Sequence, residues 1–384
     1  MQARVAVAVA FFLSFSLLGG CGGGSSSTTG TGGGGGGTTP VQTQAAAPTI
    51  TTAAALNGAE IVSMASTTSG ATIYYTLDGT TPTSASELYA GPFLVASNLT
   101  INAVATASGD TNSTVATQNF AANIASGTLV WSDEFNAGAS ANAAPNAQVW
   151  TYDVGTDCCG NSELETYCAW ASSTGPCNPA SPNAYQGTDG YLHIVASNPS
   201  TGVYTSARMK TEGLFSFQYG RIEARMQLPE SQGMWPAFWL LGSNINSVPW
   251  PACGELDVME HIDGNNPPPY VGGAAPGYDW TQSSVHGTGL SGGTPYHPSG
   301  FSAAAWHTYG MIWSKGKIQY YVDDPTNIYE TFTASSMAGT WPFDQGPQFV
   351  LLNLAVGGTW PGNPDATTVF PSTMLVDYVR IYAN

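Results

Sequence analysis

The chain has little positive charge. Of its 384 residues, eight are Lys or Arg and 25 are Asp or Glu, which gives a formal net charge of −17. No Lys or Arg occurs between Arg4 and Arg208. Proteins bind nucleic acid mainly by neutralising phosphate charges, so we expect no nucleic-acid partner. The same long-range repulsion disfavours heavily sulfated polysaccharides, unless a local basic pocket overrules it.

Long amphipathic helical patterns are also missing. The sequence instead consists of many short apolar runs bounded by Gly, Pro, Asn and Ser, and it contains 46 Gly, 18 Tyr and 11 Trp. This pattern predicts an all-β protein. A length of 384 residues exceeds one ordinary domain, so we expect two domains and a tail.

The N-terminus has the pattern of an export signal. Arg4 is followed by an apolar run, residues 5–18, that is short for a membrane span, and small residues then precede Cys21. Residues 1–21 resemble a bacterial lipoprotein signal, which implies cleavage before Cys21 and lipidation of that cysteine. An ordinary secretory signal is the alternative. Either way we expect an exported protein. It would be secreted, or a lipid alone would hold it in the cell envelope, at the outer membrane.

A tether and two modules follow the signal. Residues 22–47 are mostly Gly, Ser, Thr and Ala and predict a flexible linker. Residues 48–121 alternate in polarity around the turn at 78–82, which predicts a small β-sandwich. This module resembles the immunoglobulin-like domain at the C-terminus of chitobiases and hexosaminidases. Because it contains no Trp, a spacer or stabilising role is favoured over sugar binding. The second module covers residues 128–384 and holds every Trp.

Five further cysteines lie in the exported part, and four of them crowd into one loop-like region. An oxidising compartment permits disulfides, and two bridges with one thiol left over is the simplest count. Spacing leaves the pairing open. A metal cluster is disfavoured because adjacent cysteines suit zinc poorly. These residues are Cys158, Cys159, Cys168, Cys177 and Cys253.

Three acids within six residues are the strongest chemical signal. In a regular strand Glu255 and Asp257 share one face, while Glu260 points to the other. A single β-bulge between Asp257 and Glu260 would return all three to one face. The two Glu carboxyl groups would then lie roughly 5 to 6 Å apart, as in a retaining glycosidase. The alternative, surface acids on a solvated strand edge, is weakened because only 9% of the residues are charged.

Longer strings surround these acids in a fixed order. They are Tyr-Gly-Arg-Ile-Glu-Ala-Arg-Met at 219–226, Gly-Met-Trp-Pro-Ala-Phe-Trp-Leu-Leu-Gly at 233–242, a run ending Gly-Gly-Thr-Trp-Pro-Gly at 362, and Val-Asp-Tyr-Val-Arg-Ile-Tyr at 376–382. Together they resemble glycoside hydrolase family 16, and within it the bacterial laminarinases. The resemblance spans the second module and implies a β-jelly roll of two curved antiparallel sheets, with the substrate across the concave face.

The resemblance also assigns roles to the acids. It implies that Glu255 is the nucleophile and that Glu260 is the general acid and then the general base. Asp257 would hydrogen-bond to Glu255 and hold its orientation. This division needs one Glu ionised and one with a raised pKa, which neighbouring negative charge can supply.

Sugar binding needs aromatic faces and polar groups near the acids. The resemblance implies that Trp235 and Trp250 lie in the cleft, and we interpret Trp239 as a core residue because it follows Trp235 so closely. His286 alone would more often be structural, and we assign it sugar contact or support of the acids. The remaining polar candidates are Asn161, Glu163, Arg208 and Asn353.

Calcium is the one metal that the resemblance implies. Family members often carry it on the convex face, and Glu134 and Asp377 match the acids that hold it. Two acids at opposite ends of the module could equally form hydrogen bonds or remain solvated. No cofactor is expected for catalysis.

The sequence therefore predicts an exported, monomeric retaining endo-glycosidase that acts on β-1,3-glucan or mixed-linkage β-1,3-1,4-glucan. A hydrolase of agar- or carrageenan-type galactans is an alternative, because the bulged acidic motif is common to both. A glucan-binding protein without activity is another, but such proteins lose the catalytic acids that this chain keeps.

Overall fold

A computed structural model of the protein describes residues 42–136, 140–156, 160–262 and 280–384. Within these ranges the regular structure consists of β-strands, as predicted, and no residue is helical. Among the same residues there is accordingly no helix long and apolar enough to cross a membrane. The signal, Cys21 and most of the predicted linker lie outside the described residues.

The first module is an immunoglobulin-like β-sandwich. It contains β1 (Thr49–Ala54), β2 (Glu60–Ala65), β3 (Thr72–Thr76), β4 (Glu87–Leu88), β5 (Phe93–Val95), β6 (Leu99–Thr106) and β7 (Ala116–Phe120). Four of these strands form a sheet in the order β4-β3-β6-β7, and β1, β2 and β5 lie in another sheet. Alternate side chains of β3 and β6 point into its core, where Tyr75 stacks on Phe93 with ring centroids 5.2 Å apart.

The second module contains the remaining eighteen strands of the described residues. They are β8 (Leu129–Asp133), β9 (Thr151–Asp153), β10 (Glu165–Tyr167), β11 (Ala184–Gln186), β12 (Leu192–Ser200), β13 (Val203–Ser206), β14 (Arg208–Lys210), β15 (Ser216–Phe217), β16 (Gly220–Gln227), β17 (Met234–Gly242), β18 (Glu255–Glu260), β19 (Thr281–Gly287), β20 (Leu290–Tyr296), β21 (His307–Ser314), β22 (Lys317–Val322), β23 (Ile328–Thr333), β24 (Gln348–Val356) and β25 (Ser372–Tyr382).

Two large sheets built from these strands pack as a β-jelly roll. One sheet has the order β15-β24-β17-β18-β19-β20, with β14 added beside β24 and β9 beside β14. The other has the order β10-β13-β12-β25-β16-β21-β22-β23, with β11 beside β12 and β8 beside β25. Buried apolar side chains from both sheets, such as Phe238 and Trp313, form one core between them. The first sheet carries the three acids and is called the cleft sheet below.

The two modules share the cleft sheet. Strand β5 of the first module pairs in parallel with β15, so that Phe93 lies opposite Ser216 and Leu94 opposite Phe217. The buried side chain of Leu94 belongs to the core of the second module. Gly91 approaches the backbone of Gly213 so closely that a Cβ on Gly91 would lie 2.9 Å from it. The first module is therefore packed directly onto the second.

The disulfide prediction is borne out for one pair. Cys168 and Cys177 are bonded, and Cys253 is a buried free thiol. Cys158 and Cys159 lie outside the described residues. The bridge closes a short loop that follows β10, the first strand in the order of the second large sheet.

Candidate active site

The acids lie on a bulged strand in the middle of the cleft sheet. Opposite β17, Met259 pairs with Phe238 and Asp257 pairs with Trp239, which leaves Val258 without a partner. The pairing of β18 with β19 shifts at the same place. Val258 is therefore the extra residue, and the predicted bulge is confirmed.

The bulge directs Glu255, Asp257 and Glu260 into one groove of about 810 Å³. Asp257 is 3% exposed, whereas both glutamates keep part of their surface open. Gly254 precedes the strand at φ +85°, and a Cβ there would lie 2.8 Å from the ring of Pro342. Glycine at this turn therefore allows β18 to start where it does.

All ten residues that the sequence predicted for catalysis or sugar binding line this groove. They are Asn161, Glu163, Arg208, Trp235, Trp250, Glu255, Asp257, Glu260, His286 and Asn353.

Glu255 is held by the indole of Trp250. The indole N–H donates to Oε2 of Glu255 at 2.7 Å, while the Trp250 side chain remains 57% exposed. Burial, and then the charge of Asp257, raises the pKa of Glu255. The hydrogen bond from Trp250 and the nearby cations of His286 and Arg208 act in the opposite direction and favour the carboxylate.

Glu260 is held by a second indole. Trp235 Nε1–H donates to Oε1 of Glu260 at 3.1 Å. Burial raises the pKa of Glu260 well above its ordinary value, and the charges of Asp257 and Glu255 raise it further. Glu260 thus faces two other acids, whose negative charge favours its protonated form.

Asp257 is bound by the neighbouring strand β19. Its Oδ2 accepts a hydrogen bond from Ser284 Oγ at 2.6 Å and lies 3.3 Å from His286 Nε2. Among the described contacts, none joins Asp257 to Glu255 by a hydrogen bond, so the predicted support is wrong in its partner. The influence of Asp257 on Glu255 is electrostatic instead.

His286 has the environment of a cation. Burial alone would lower its pKa, but the hydrogen bond with Asp257 and the surrounding negative charges raise the pKa to about 9. Its Nδ1 lies 3.1 Å from Ser291 Oγ. An imidazolium at this position partly offsets the three acids.

Trp239 lies in the groove, so its interpretation as a core residue was wrong. Side chains alternate along β17: Trp235 and Trp239 face the groove, while Phe238 and Leu240 point into the core. The period of a strand places residues four apart on the same face. That parity was the signal in the sequence that identifies Trp239 as a groove residue.

Arg208, Trp239 and Asn353 form one connected patch. The guanidinium of Arg208 lies 4.6 Å from the ring centroid of Trp239, and its Nε lies 2.9 Å from Asp153. Trp239 Nε1–H donates to Asn353 Oδ1 at 2.7 Å, and Asn353 Nδ2–H donates to Tyr167 at 3.3 Å. These contacts hold an aromatic face and polar groups in the groove wall, which suits a sugar ring.

A loop at residues 160–164 closes one side of the groove. The carboxylate of Glu163 accepts hydrogen bonds from the backbone N–H of Asn161 at 2.9 Å and from its side-chain amide at 3.2 Å. The Asn161 carbonyl in turn accepts the N–H of Thr359. Glu163 therefore shapes the loop as well as lining the groove.

Several lining residues were not among the sequence candidates. Trp360, in the Gly-Gly-Thr-Trp-Pro-Gly string, meets Trp235 edge-on with ring centroids 5.2 Å apart. Gln282 lies on the groove face of β19, the same face as His286. Tyr167 comes from the distant strand β10, and no local pattern marks it.

The contacts of Glu134 and Asp377 do not fit a calcium site. Both carboxylate oxygens of Glu134 accept hydrogen bonds from Arg380, at 2.9 and 2.7 Å. Asp377 accepts one from Arg225 at 2.6 Å. Carboxylates already neutralised by arginine are poor calcium ligands, so the calcium prediction gains no support from these two residues.

Two family models match the chain. Glycosyl hydrolases family 16 matches residues 180–380. The chitobiase/beta-hexosaminidase C-terminal domain matches residues 51–117. The two matches lie in the second and the first module respectively.

Relatives and solved structures agree with the first match. The chain is 37% identical over 269 residues to a beta-glucanase of Rhodothermus marinus, covering 66% of this chain and 84% of the relative. It is 34% identical to glucan endo-1,3-beta-glucosidase A1 of Niallia circulans, covering 67% of this chain but 38% of that relative. The laminarinase catalytic domain from Thermotoga petrophila superimposes with a TM-score of 0.56 at 34% identity, covering 67% of this chain and 98% of that domain.

Proposed function

The chain belongs to glycosyl hydrolases family 16, and on this premise we propose that it is a retaining endo-glycosidase of β-1,3-glucan or mixed-linkage β-1,3-1,4-glucan. The observation that carries the proposal is the bulged strand, which turns Glu255 and Glu260 to the same groove and gives each an indole N–H. The two acids have unequal surroundings, as an acid and a nucleophile require.

In the first step Glu255 acts as the nucleophile. Its carboxylate oxygen forms a bond to the anomeric carbon while the bond from that carbon to the leaving oxygen breaks. Glu260 gives its proton to the leaving oxygen, and a glycosyl ester on Glu255 remains. Trp250 stabilises the carboxylate of Glu255 before the attack and leaves its other oxygen available.

In the second step water releases the sugar. Glu260, now ionised, takes a proton from water, and the water oxygen attacks the anomeric carbon as the ester bond breaks. Glu255 is regenerated as a carboxylate and Glu260 as an acid. Asp257 favours this cycle because its charge helps Glu260 to recover a proton.

The groove wall suits a neutral glucan. Trp235, Trp239, Trp250 and Trp360 offer aromatic surface for the apolar faces of glucose rings. The net charge of −17 also favours a neutral glucan, because it repels sulfated galactans.

The test is incubation with laminarin, lichenan, agarose and carrageenan while reducing ends are measured. We expect release from the two glucans, and proton NMR of the first products should show the β-anomer, as retention requires. Glu255→Gln and Glu260→Gln should each lower kcat by at least about a thousandfold. Glu230→Gln, at an exposed acid of the same module, is the matched control.

Two results would change the proposal. Release from the galactans alone would replace the substrate with a galactan. Tight binding of laminarin without any release of reducing ends would replace the hydrolase with a binding protein.

For the cell location we propose export and a lipid on Cys21. The small residues before Cys21 and the Gly-rich stretch after it support this. Mass spectrometry of the mature N-terminus tests it: a diacylglyceryl-modified Cys21 is expected, and Cys21→Ser should abolish the modification. An unmodified N-terminus at another residue would favour an ordinary secretory signal.

A further inference from the structure

A serine hydroxyl lies between two of the three acids. Ser284 Oγ is 2.6 Å from Asp257 Oδ2 and 3.3 Å from Glu260 Oε2. The residue is 1% exposed. Its backbone carbonyl accepts the hydroxyl proton of Tyr320, from the opposite sheet, at 2.8 Å. The hydroxyl of Ser284 is therefore fixed in place and shielded from water.

One hydroxyl can donate only one hydrogen bond, but it can also accept. The shorter contact assigns the Ser284 proton to Asp257, because bonds from a hydroxyl to a carboxylate are short. The lone pairs of Ser284 Oγ then face Glu260 Oε2. They can accept a hydrogen bond from the O–H of a neutral Glu260, but they offer no hydrogen to an ionised one.

From this arrangement we infer that Ser284 is a positioning residue that keeps the proton on Glu260 rather than on Asp257. It stabilises Asp257 as the anion and Glu260 as the acid through the same oxygen. The inference rests on the proposed function, because it concerns the protonation that the first step consumes. No bond to the substrate is required of Ser284.

The charged and titratable groups facing Glu260 come from several elements. Glu255 and Asp257 lie on its own strand, His286 on β19, and Tyr320 on β22 of the opposite sheet. Because His286 has its own contact with Asp257, it remains as a partner of Asp257 when Ser284 is replaced.

The first test compares pH profiles of kcat/KM on laminarin. Ser284→Ala should move the basic limb to lower pH by about half to one unit, because neutral Glu260 loses an acceptor and Asp257 loses a donor. Ser284→Thr keeps the hydroxyl and should restore the limb. Ser206→Ala is the control: Ser206 is fully buried and donates to a backbone carbonyl at 2.5 Å, away from the acids.

The second test varies the leaving group. Ser284→Ala should lower kcat about tenfold on phenyl β-laminaribioside, whose leaving group needs a proton, and much less on the 2,4-dinitrophenyl analogue, whose leaving group does not. If Ser284→Ala does not fold, Ser284→Cys replaces it, since a thiol is a weaker donor and acceptor.

The outcomes separate the two ideas. A shifted limb with selective loss on the phenyl substrate, rescued by Ser284→Thr, supports the inference. An unshifted limb, or an equal loss on both substrates, overturns it and leaves Ser284 a structural residue. A wild-type protein that is inactive on every glucan overturns the proposed function itself, and the inference with it.

Discussion

The indole N–H of Trp250 donates to Glu255, five positions further along the chain, at 2.7 Å. The Trp250 residue is nevertheless 57% exposed. One side chain thus contacts the proposed nucleophile, Glu255, with its indole N–H and also lines the groove. Its two roles can be separated by substitution.

Replacing Trp250 by Phe should affect the nucleophile more than substrate binding. Phenylalanine keeps an aromatic face but loses the N–H that favours ionised Glu255, so the pKa of Glu255 should rise. The acidic limb of kcat/KM should therefore move to higher pH, and kcat should fall about tenfold with a smaller change in KM. Trp170→Phe, which loses an indole bond to a backbone carbonyl, is the matched control. An unshifted acidic limb would contradict this role.

Trp239 and Phe238 are neighbours on opposite faces of β17, and they should respond differently. Trp239→Phe removes the hydrogen bond to Asn353 and weakens the contact with Arg208, so KM for laminarin should rise several-fold at nearly constant Tm. Phe238→Ala should instead lower stability by about 3–5 kcal/mol, because Phe238 is fully buried. Kinetics and thermal unfolding of both variants measure the difference. If Trp239→Phe lowers Tm without raising KM, Trp239 acts as a core residue after all.

The packing of the first module onto the second should contribute to the free energy of unfolding of the protein. Gly91→Val places a side chain against Gly213, so we expect a loss of about 1–3 kcal/mol. Because Leu94 reaches the core of the second module, the unfolding transition of the catalytic module should also move to lower temperature. Ala90→Val, at the exposed neighbouring residue, should change little. Calorimetry that shows an unaltered catalytic transition in Gly91→Val would argue that the two modules unfold independently.

Glu87 should make the same junction sensitive to pH. A Cβ on Gly346, in the second module, would lie 2.4 Å from the Glu87 carboxylate, so the two residues are in close contact. Burial raises the pKa of Glu87 to about 7. An acid with a raised folded pKa contributes stability at low pH and loses it as the pH rises through about 7.

Replacing Glu87 by Gln should therefore raise Tm at pH 8 and change it little at pH 5. Thermal unfolding at both pH values checks this, with Glu230→Gln at an exposed site as the control. The same Tm difference at both pH values would mean that ionisation of Glu87 is not the cause.

The alternation of side chains between the two faces of a strand explains which parts of the site could be predicted from the sequence. The face of a strand residue follows from counting, so the spacing of Glu255, Asp257 and Glu260 already required a bulge, and the strand pairing contains it. The same count puts Trp239 on the face of Trp235. Contacts between strands could not be counted in this way. Ser284 reaches Asp257 only because β19 pairs with β18 in one register.

The sequence by itself determined the all-β class, the family and the three acids, because these depend on local alternation and on strings of neighbouring residues. Tertiary structure alone decided that Ser284 lies between two acids. It also decided that Asp257 contacts Ser284 and His286 rather than Glu255. It placed Glu134 and Asp377 against arginines. It also decided that β5 continues the cleft sheet through β15. Each of these depends on how separate strands pair and pack, and for Glu134, Asp377 and β5 the strands involved lie far apart in the chain. That information is set by the whole core and not by any single segment.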